Sequence, residues 1–185
     1  MNDADFPTNL PPVLPPVPQK ALLGQTESFG QPIDLDRKTL ILRDRRERKS
    51  RCTIWPLRQH PALRVIHHPW KQPPDLTDYF LLWHDAPELS VADGKKGLLL
   101  VDGSWRWAEK LSLPLSDIPK RSIQGIRTAY PRSSKLFEDP DGGLATVEAL
   151  YAAHRILGKD IHGLLDYYHW AEQFLLLNPL LHPNP

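Results

Sequence analysis

Gly97-Leu98-Leu99-Leu100-Val101-Asp102-Gly103-Ser104-Trp105 is the stretch on which the fold turns. Its apolar run shows no polar alternation, as a central strand covered on both faces requires. The run ends in Asp102-Gly103-Ser104-Trp105, and Arg106 to Leu111 is compatible with a helix. A strand that turns at glycine into a helix delivers polar side chains to the C-terminal edge of its sheet, where open α/β sheets bind ligands. The same four residues would also serve as an Asx-turn with a buried Trp anchor. Asp102 and Trp105 are therefore candidates for either role.

Outward from this stretch the chain reads as short apolar runs between loops. Thr39-Leu40-Ile41-Leu42, Leu63-Arg64-Val65-Ile66 and Tyr79-Phe80-Leu81-Leu82-Trp83 have strand character, and a fifth run spans Ser122 to Thr128. The last third changes period. Val147, Leu150, Tyr151, His154 and Leu157 share one helical face, with Thr146 as the expected N-cap and Gly158 as the stop. A second helix is expected from Asp160 to Asn178, on the spacing of Ile161, Leu164, Leu165, Tyr168, Ala171, Phe174 and Leu175. Both stripes read first as core packing. Six of the 20 prolines fall before residue 20, where little could be buried, so that segment is expected to favour extended polyproline-II geometry and disorder. The organisation expected is a proline-rich tail over 1–36, an α/β part over 37–128, and a loop with an all-α part over 129–185.

The 185 residues carry 23 basic and 22 acidic side chains, a formal charge of +1, which argues against a histone-like polyanion coat or an acidic tail. The charge is nonetheless uneven. Arg37, Lys38, Arg43, Arg45, Arg46, Arg48, Lys49 and Arg51 stand against only Asp44 and Glu47. A solvated hairpin tip would have this composition, and so would a phosphate grip, for which arginine's forked donors are better suited than lysine's. The single cysteine, Cys52, excludes an internal disulfide and a Cys-x-x-Cys zinc site, and its basic neighbours are expected to lower its pKa. Among eight histidines, His67 and His68 are adjacent and point to opposite faces of a strand, and no HExxH spacing occurs. No metal is expected. Neither a G-x-S-x-G elbow nor a glycine-rich phosphate loop is present. No apolar run approaches the roughly 20 residues of a membrane span, and the first residues lack signal-peptide character. The expectation is a soluble cytoplasmic protein.

Three ordered motifs carry a resemblance. Glu88-Leu89-Ser90-Val91-Ala92-Asp93 followed by Gly97 to Trp105 resembles the SPAD…GLxxxDCSW segment of the small-subunit rRNA aminocarboxypropyltransferases. Leu144-Ala145-Thr146-Val147-Glu148-Ala149-Leu150 resembles their KLSTVEAL, with Gly143 in place of Lys. Tyr168-His169-Trp170-Ala171-Glu172-Gln173-Phe174-Leu175-Leu176-Leu177-Asn178 resembles their FKWGxxFLxLN. The Asp-Gly-Ser-Trp wording is also similar to the DTW-domain transferases that modify tRNA uridine, whose N-terminal Cys cluster this chain lacks. The family's AANPVNYG stretch reads here as Thr128-Ala129-Tyr130-Pro131-Arg132-Ser133-Ser134, with the Asn residues gone.

The resemblance implies a fold similar to the knotted SPOUT-type methyltransferases with an all-α C-terminal part. It implies S-adenosylmethionine as co-substrate, and transfer of its 3-amino-3-carboxypropyl group to a base nitrogen of RNA, rRNA in preference to tRNA, leaving methylthioadenosine. Cofactor contacts carry over to Thr53, Leu99, Ile123, Gly142 and Thr146, with Trp105 and Ile126 lining the site. Asp102 is the candidate for orienting the acceptor or taking its proton. Arg43, Arg45, Arg46, Arg48, Lys49 and Arg51 would hold RNA phosphates. Two other readings stand beside this one: a knotted RNA methyltransferase leaving S-adenosylhomocysteine, and a non-catalytic RNA- or ribosome-binding module.

Overall fold

The structure is a computed structural model that describes residues 39–70, 74–131 and 143–182. Its centre is a five-stranded sheet of β1 (Thr39–Asp44), β2 (Leu63–His68), β3 (Tyr79–Leu82), β4 (Gly97–Asp102) and β5 (Lys120–Arg121). The order is β2-β1-β4-β3-β5, and every pairing is parallel. The helices are α1 (Trp105–Ser112), α2 (Thr146–Leu157) and α3 (Ala171–Leu177), with short 3-10 turns at Trp55–Leu57, Val91–Lys95, Leu113–Leu115 and Pro179–Leu181. Among the described residues no helix is long and apolar enough to cross a membrane.

The unbroken apolar run of β4 has the reason expected of it. Strand geometry sends alternate side chains to opposite faces. Leu98 and Leu100 join Ile41, Phe80 and the α2 residues Val147, Leu150 and Leu157 in one core. Leu99 joins Leu40, Leu42, Leu81, and Leu111 of α1 in the other. Each such fully buried leucine contributes about 1.5–3 kcal/mol over its exposed state. Gly97 opens β4 because Tyr79, its partner on β3, lays its ring where a Cβ would stand.

Three local expectations change. Thr146 is the first residue of α2 rather than its cap; Ala145 occupies the cap position, and Glu148 reaches back to the Ala145 N–H (2.8 Å). The helix expected over Asp160–Asn178 is confined to Ala171–Leu177. Gly163 takes a left-handed φ of 74°, and residues 162–167 form turns with i to i−3 bonds such as Leu164 N–H to Ile161 O. Leu164 and Tyr168 are nonetheless buried beside Phe174, so a turn segment satisfies the apolar spacing that a helix would. Finally, the strand near Ser122 is Lys120–Arg121, and Ser122 adds only one bridge to Glu88.

Candidate functional site

Parallel pairing aligns the strand ends, and β1 pairs with β4 so that Arg43 stands beside Asp102. A cleft of about 800 Å³ opens at this C-terminal edge. Asp102, Gly103, Trp105 and Trp107 form one side of its lining. The turn after β1 contributes Glu47, Arg51, Cys52 and Thr53, the end of β3 contributes Leu82, Trp83 and His84, and the loop after β5 contributes Ile123, Tyr130 and Pro131. Gly143, Leu144, Ala145, Thr146 and Ala149 complete it from the start of α2.

Asp102 is 4% exposed and firmly held. Its Oδ2 accepts from Cys52 Sγ at 2.9 Å and lies 3.5 Å from Arg43 Nε. Burial and the neighbouring Asp102 charge push the Cys52 thiol up to about 11. The lowered pKa expected from its basic sequence neighbours is therefore overturned: the Arg43 guanidinium, 3.4 Å from Sγ, favours the thiolate, but burial and the Asp102 carboxylate outweigh it.

Arg43 corrects the phosphate-gripping set. It is 2% exposed, with Nε 3.4 Å from Cys52 Sγ, Nη1 donating to Asp44 O (3.2 Å) and Nη2 to Glu47 O (2.6 Å). The strand alternation that buries Ile41 also turns Arg43 inward, where it braces Asp102 and the backbone of the basic turn. Arg45, Arg46, Arg48, Lys49 and Arg51 are exposed. Arg46 donates to Asp44 from Nε (3.0 Å) and Nη2 (2.8 Å). Burial would raise the Asp44 pKa, but the Arg46 hydrogen bonds and charge outweigh it and hold the carboxyl below its ordinary value. The segment links parallel strands and is not a hairpin tip.

Of the expected cofactor contacts, Thr53, Trp105, Ile123 and Thr146 line the cleft together. Thr53 Oγ1 accepts the Val147 N–H at 3.3 Å, tying the β1–β2 connection to the first turn of α2. Leu99 does not reach the cleft, because it faces the α1 core; its neighbour Leu100 lines the cleft in its place. Ile126 packs on the α2 side of the core and is not among the lining residues. Gly142 lies outside the described residues, and Gly143 beside it lines the cleft. The Trp105 ring meets Trp83 (centroids 6.1 Å) and His84 (5.5 Å) edge to face, the arrangement that aromatic quadrupoles favour.

Two residues quoted only as parts of motifs prove to set the cleft wall. Glu148 is fully buried. Its Oε1 accepts from Ala129 N–H (2.7 Å) and Tyr168 OH (2.8 Å), and its Oε2 from Thr128 OH (2.6 Å) and Ala145 N–H (2.8 Å). Asn178 accepts from Arg127 N–H and donates to the carbonyls of Arg127 and Phe174. Together they clamp residues 127–129 just before Tyr130 and Pro131 enter the lining. The available signal was a lone carboxylate on the apolar face of α2, since such a group is buried only when donors surround it.

Comparison with known proteins bears on the fold. No family model and no curated protein matches the sequence. Among solved structures, the chain is similar to that of the SAM-dependent rRNA:acp-transferase Tsr3 from Vulcanisaeta distributa, with a TM-score of 0.60 and 20% identity over 78% of this chain and 79% of that one. The parallel α/β fold of this chain is thus the fold it shares with that transferase.

Proposed function

We propose that the protein is an S-adenosylmethionine-dependent RNA aminocarboxypropyltransferase, acting on rRNA in the cytoplasm. The observation that carries this reading is the convergence of Thr53, Asp102, Trp105, Ile123 and Thr146 in one cleft. These residues come from four separated segments, on a fold shared with a SAM-dependent rRNA:acp-transferase. The knotted arrangement, and the loop with an α-helical part over 129–185, belong to the same proposal; the all-parallel sheet and the helices α2 and α3 agree with it.

The lining suits the proposed co-substrate. Leu100, Ile123 and Ala149 offer an apolar slot for adenine, while Thr53 and Thr146 at the start of α2 offer hydroxyl groups to an amino-acid moiety. A helix N-terminus also favours a carboxylate electrostatically. Bound sulfonium supplies three electrophilic carbons, and the one presented in line with the nucleophile is the one that reacts. Trp105 would shield the methyl carbon, leaving the aminocarboxypropyl carbon open to the base nitrogen. The new N–C bond forms as the C–S bond breaks, its electron pair stays on sulfur, and the base loses its imino proton. Asp102, held by Arg43 and Cys52, would orient the acceptor or take that proton.

Incubation of the protein with S-adenosylmethionine and total RNA, followed by mass spectrometry of the small products, tests this directly. Methylthioadenosine formed only in the presence of RNA is expected. S-adenosylhomocysteine would instead make the protein a methyltransferase, and neither product together with no cofactor binding would make it a binding module. Asp102→Asn is expected to abolish transfer while sparing cofactor binding; full turnover in that variant removes Asp102 from the mechanism.

A further inference from the structure

Arg46 differs from its basic neighbours in how it is held. Its edge is occupied: Nε and Nη2 donate to the two oxygens of Asp44, a carboxylate only 3% exposed. One face is occupied too, since Cζ lies 3.2 Å from the centroid of the Trp107 ring. Yet 55% of the side chain remains exposed. A guanidinium fastened along its Nε–Nη2 edge and backed by an indole keeps its outer plane open, together with the three N–H groups of Nη1 and Nη2 that Asp44 does not take. Trp107 itself lines the cleft, so this plane stands at the rim. Lys110 Nζ lies 4.5 Å from the same ring, and Arg45, next in sequence, is exposed.

We infer that the Arg46 guanidinium, backed by Trp107 and fixed by Asp44, is a stacking platform for an unpaired nucleobase next to the one that enters the cleft. The inference rests on the RNA reading above and sharpens it: the acceptor is single-stranded where it meets the protein. Splayed-out bases stack on arginine planes as they do on aromatic rings. The Asp44 carboxylate offsets the charge and takes up two of the five N–H donors, which makes Arg46 a weaker phosphate grip than an arginine with its whole fork to offer. Arg45, Arg48 and Arg51 are exposed and have no such carboxylate pairing among the described residues, and on this inference they hold the neighbouring phosphates. A base whose neighbour is pinned in this way is held out of the helical stack, as chemistry on a base nitrogen requires.

The test uses the full chain and a single-stranded oligouridylate of about a dozen nucleotides, with affinity measured across a range of salt. Arg46→Ala and Arg46→Lys are each expected to weaken binding about tenfold or more, because both lose the plane, while the slope of log affinity against log salt stays that of the wild type. Arg45→Ala and Arg48→Ala are expected to flatten that slope by about 0.7 each. Wild-type affinity in Arg46→Lys would show that only charge matters and overturn the platform. A flattened slope in Arg46→Ala would make Arg46 a phosphate contact and overturn it equally. If the wild type binds no oligonucleotide, and no methylthioadenosine forms with total RNA, the RNA reading fails and the platform with it. Binding by the wild type with unaffected Arg46 variants removes the platform alone.

Discussion

Replacing Glu148 by glutamine changes one atom at the junction that shapes the cleft wall. Each carboxylate oxygen accepts one backbone N–H and one hydroxyl: Ala129 and Tyr168 on Oε1, Ala145 and Thr128 on Oε2. A hydroxyl can rotate and accept from an amide NH2, but a backbone N–H cannot. Whichever way the glutamine amide lies, its nitrogen faces either Ala129 N–H or Ala145 N–H and strands that donor in a buried site. One stranded backbone donor costs about 1–3 kcal/mol, and loss of charge assistance on the remaining bonds adds about 1 kcal/mol, so about 2–4 kcal/mol is expected in total. Urea unfolding reads this directly. With a slope of about 2 kcal/mol per molar, the midpoint should fall by about 1–2 M at unchanged slope. Once residues 128–131 are released from Glu148, binding of the proposed co-substrate should weaken as well. A midpoint within about 0.3 M of the wild type would refute the claim that this carboxylate holds three chain segments together.

Three further outcomes follow from other parts of the fold. His154 is buried, its Nδ1–H donating to Asp160 O (2.7 Å) and its Nε2 accepting from Thr39 OH (2.9 Å), and burial lowers its pKa to about 4. The unfolded chain therefore binds a proton that the folded chain refuses. The His154 contribution is complete above about pH 6.5 and shrinks as pH falls toward 4, by about 2 kcal/mol at pH 5. In His154→Gln that part of the pH dependence of the urea midpoint should vanish, and an unchanged profile would reassign it. Cys52, with its thiol raised to about 11, should react with iodoacetamide at pH 8 roughly a hundredfold more slowly in the native protein than in urea; equal rates would contradict the Asp102 contact. Gly97→Ala would drive a methyl into the Tyr79 ring and should cost about 1–3 kcal/mol. The same change in a Tyr79→Ala background should cost clearly less, and equal costs would place the strain elsewhere.

Much of this was legible because the local signal and the tertiary outcome agree. The run Gly97 to Asp102 reads as a doubly covered central strand, and it is one, because its period-2 geometry feeds two cores at once. The helix over Thr146–Leu157 stops at Gly158, whose φ of 67° is the left-handed cap that the glycine suggests. Periodicity misled over Asp160–Asn178 because turns can bury Leu164 and Tyr168 at helical spacing, and the left-handed Gly163 is visible only in the fold. Composition misled over Arg43, whose sequence neighbours are solvated cations but whose place in a strand turns it toward Asp102.

What the sequence by itself determined is therefore whatever depends on near neighbours: an apolar central strand, a glycine turn into a helix, an amphipathic helix with its stop, and a cluster of arginines. Only the tertiary structure decided which of those arginines face solvent. It also decided that Leu100 rather than Leu99 meets the cleft, that Asp102 is braced by Arg43 and Cys52, and that Glu148 binds the loop after β5 to α2. The physical reason is the same in each case. A side chain's face within a strand is fixed by the register with strands distant in sequence, and a buried charge finds its partners across chain separations that no local pattern records.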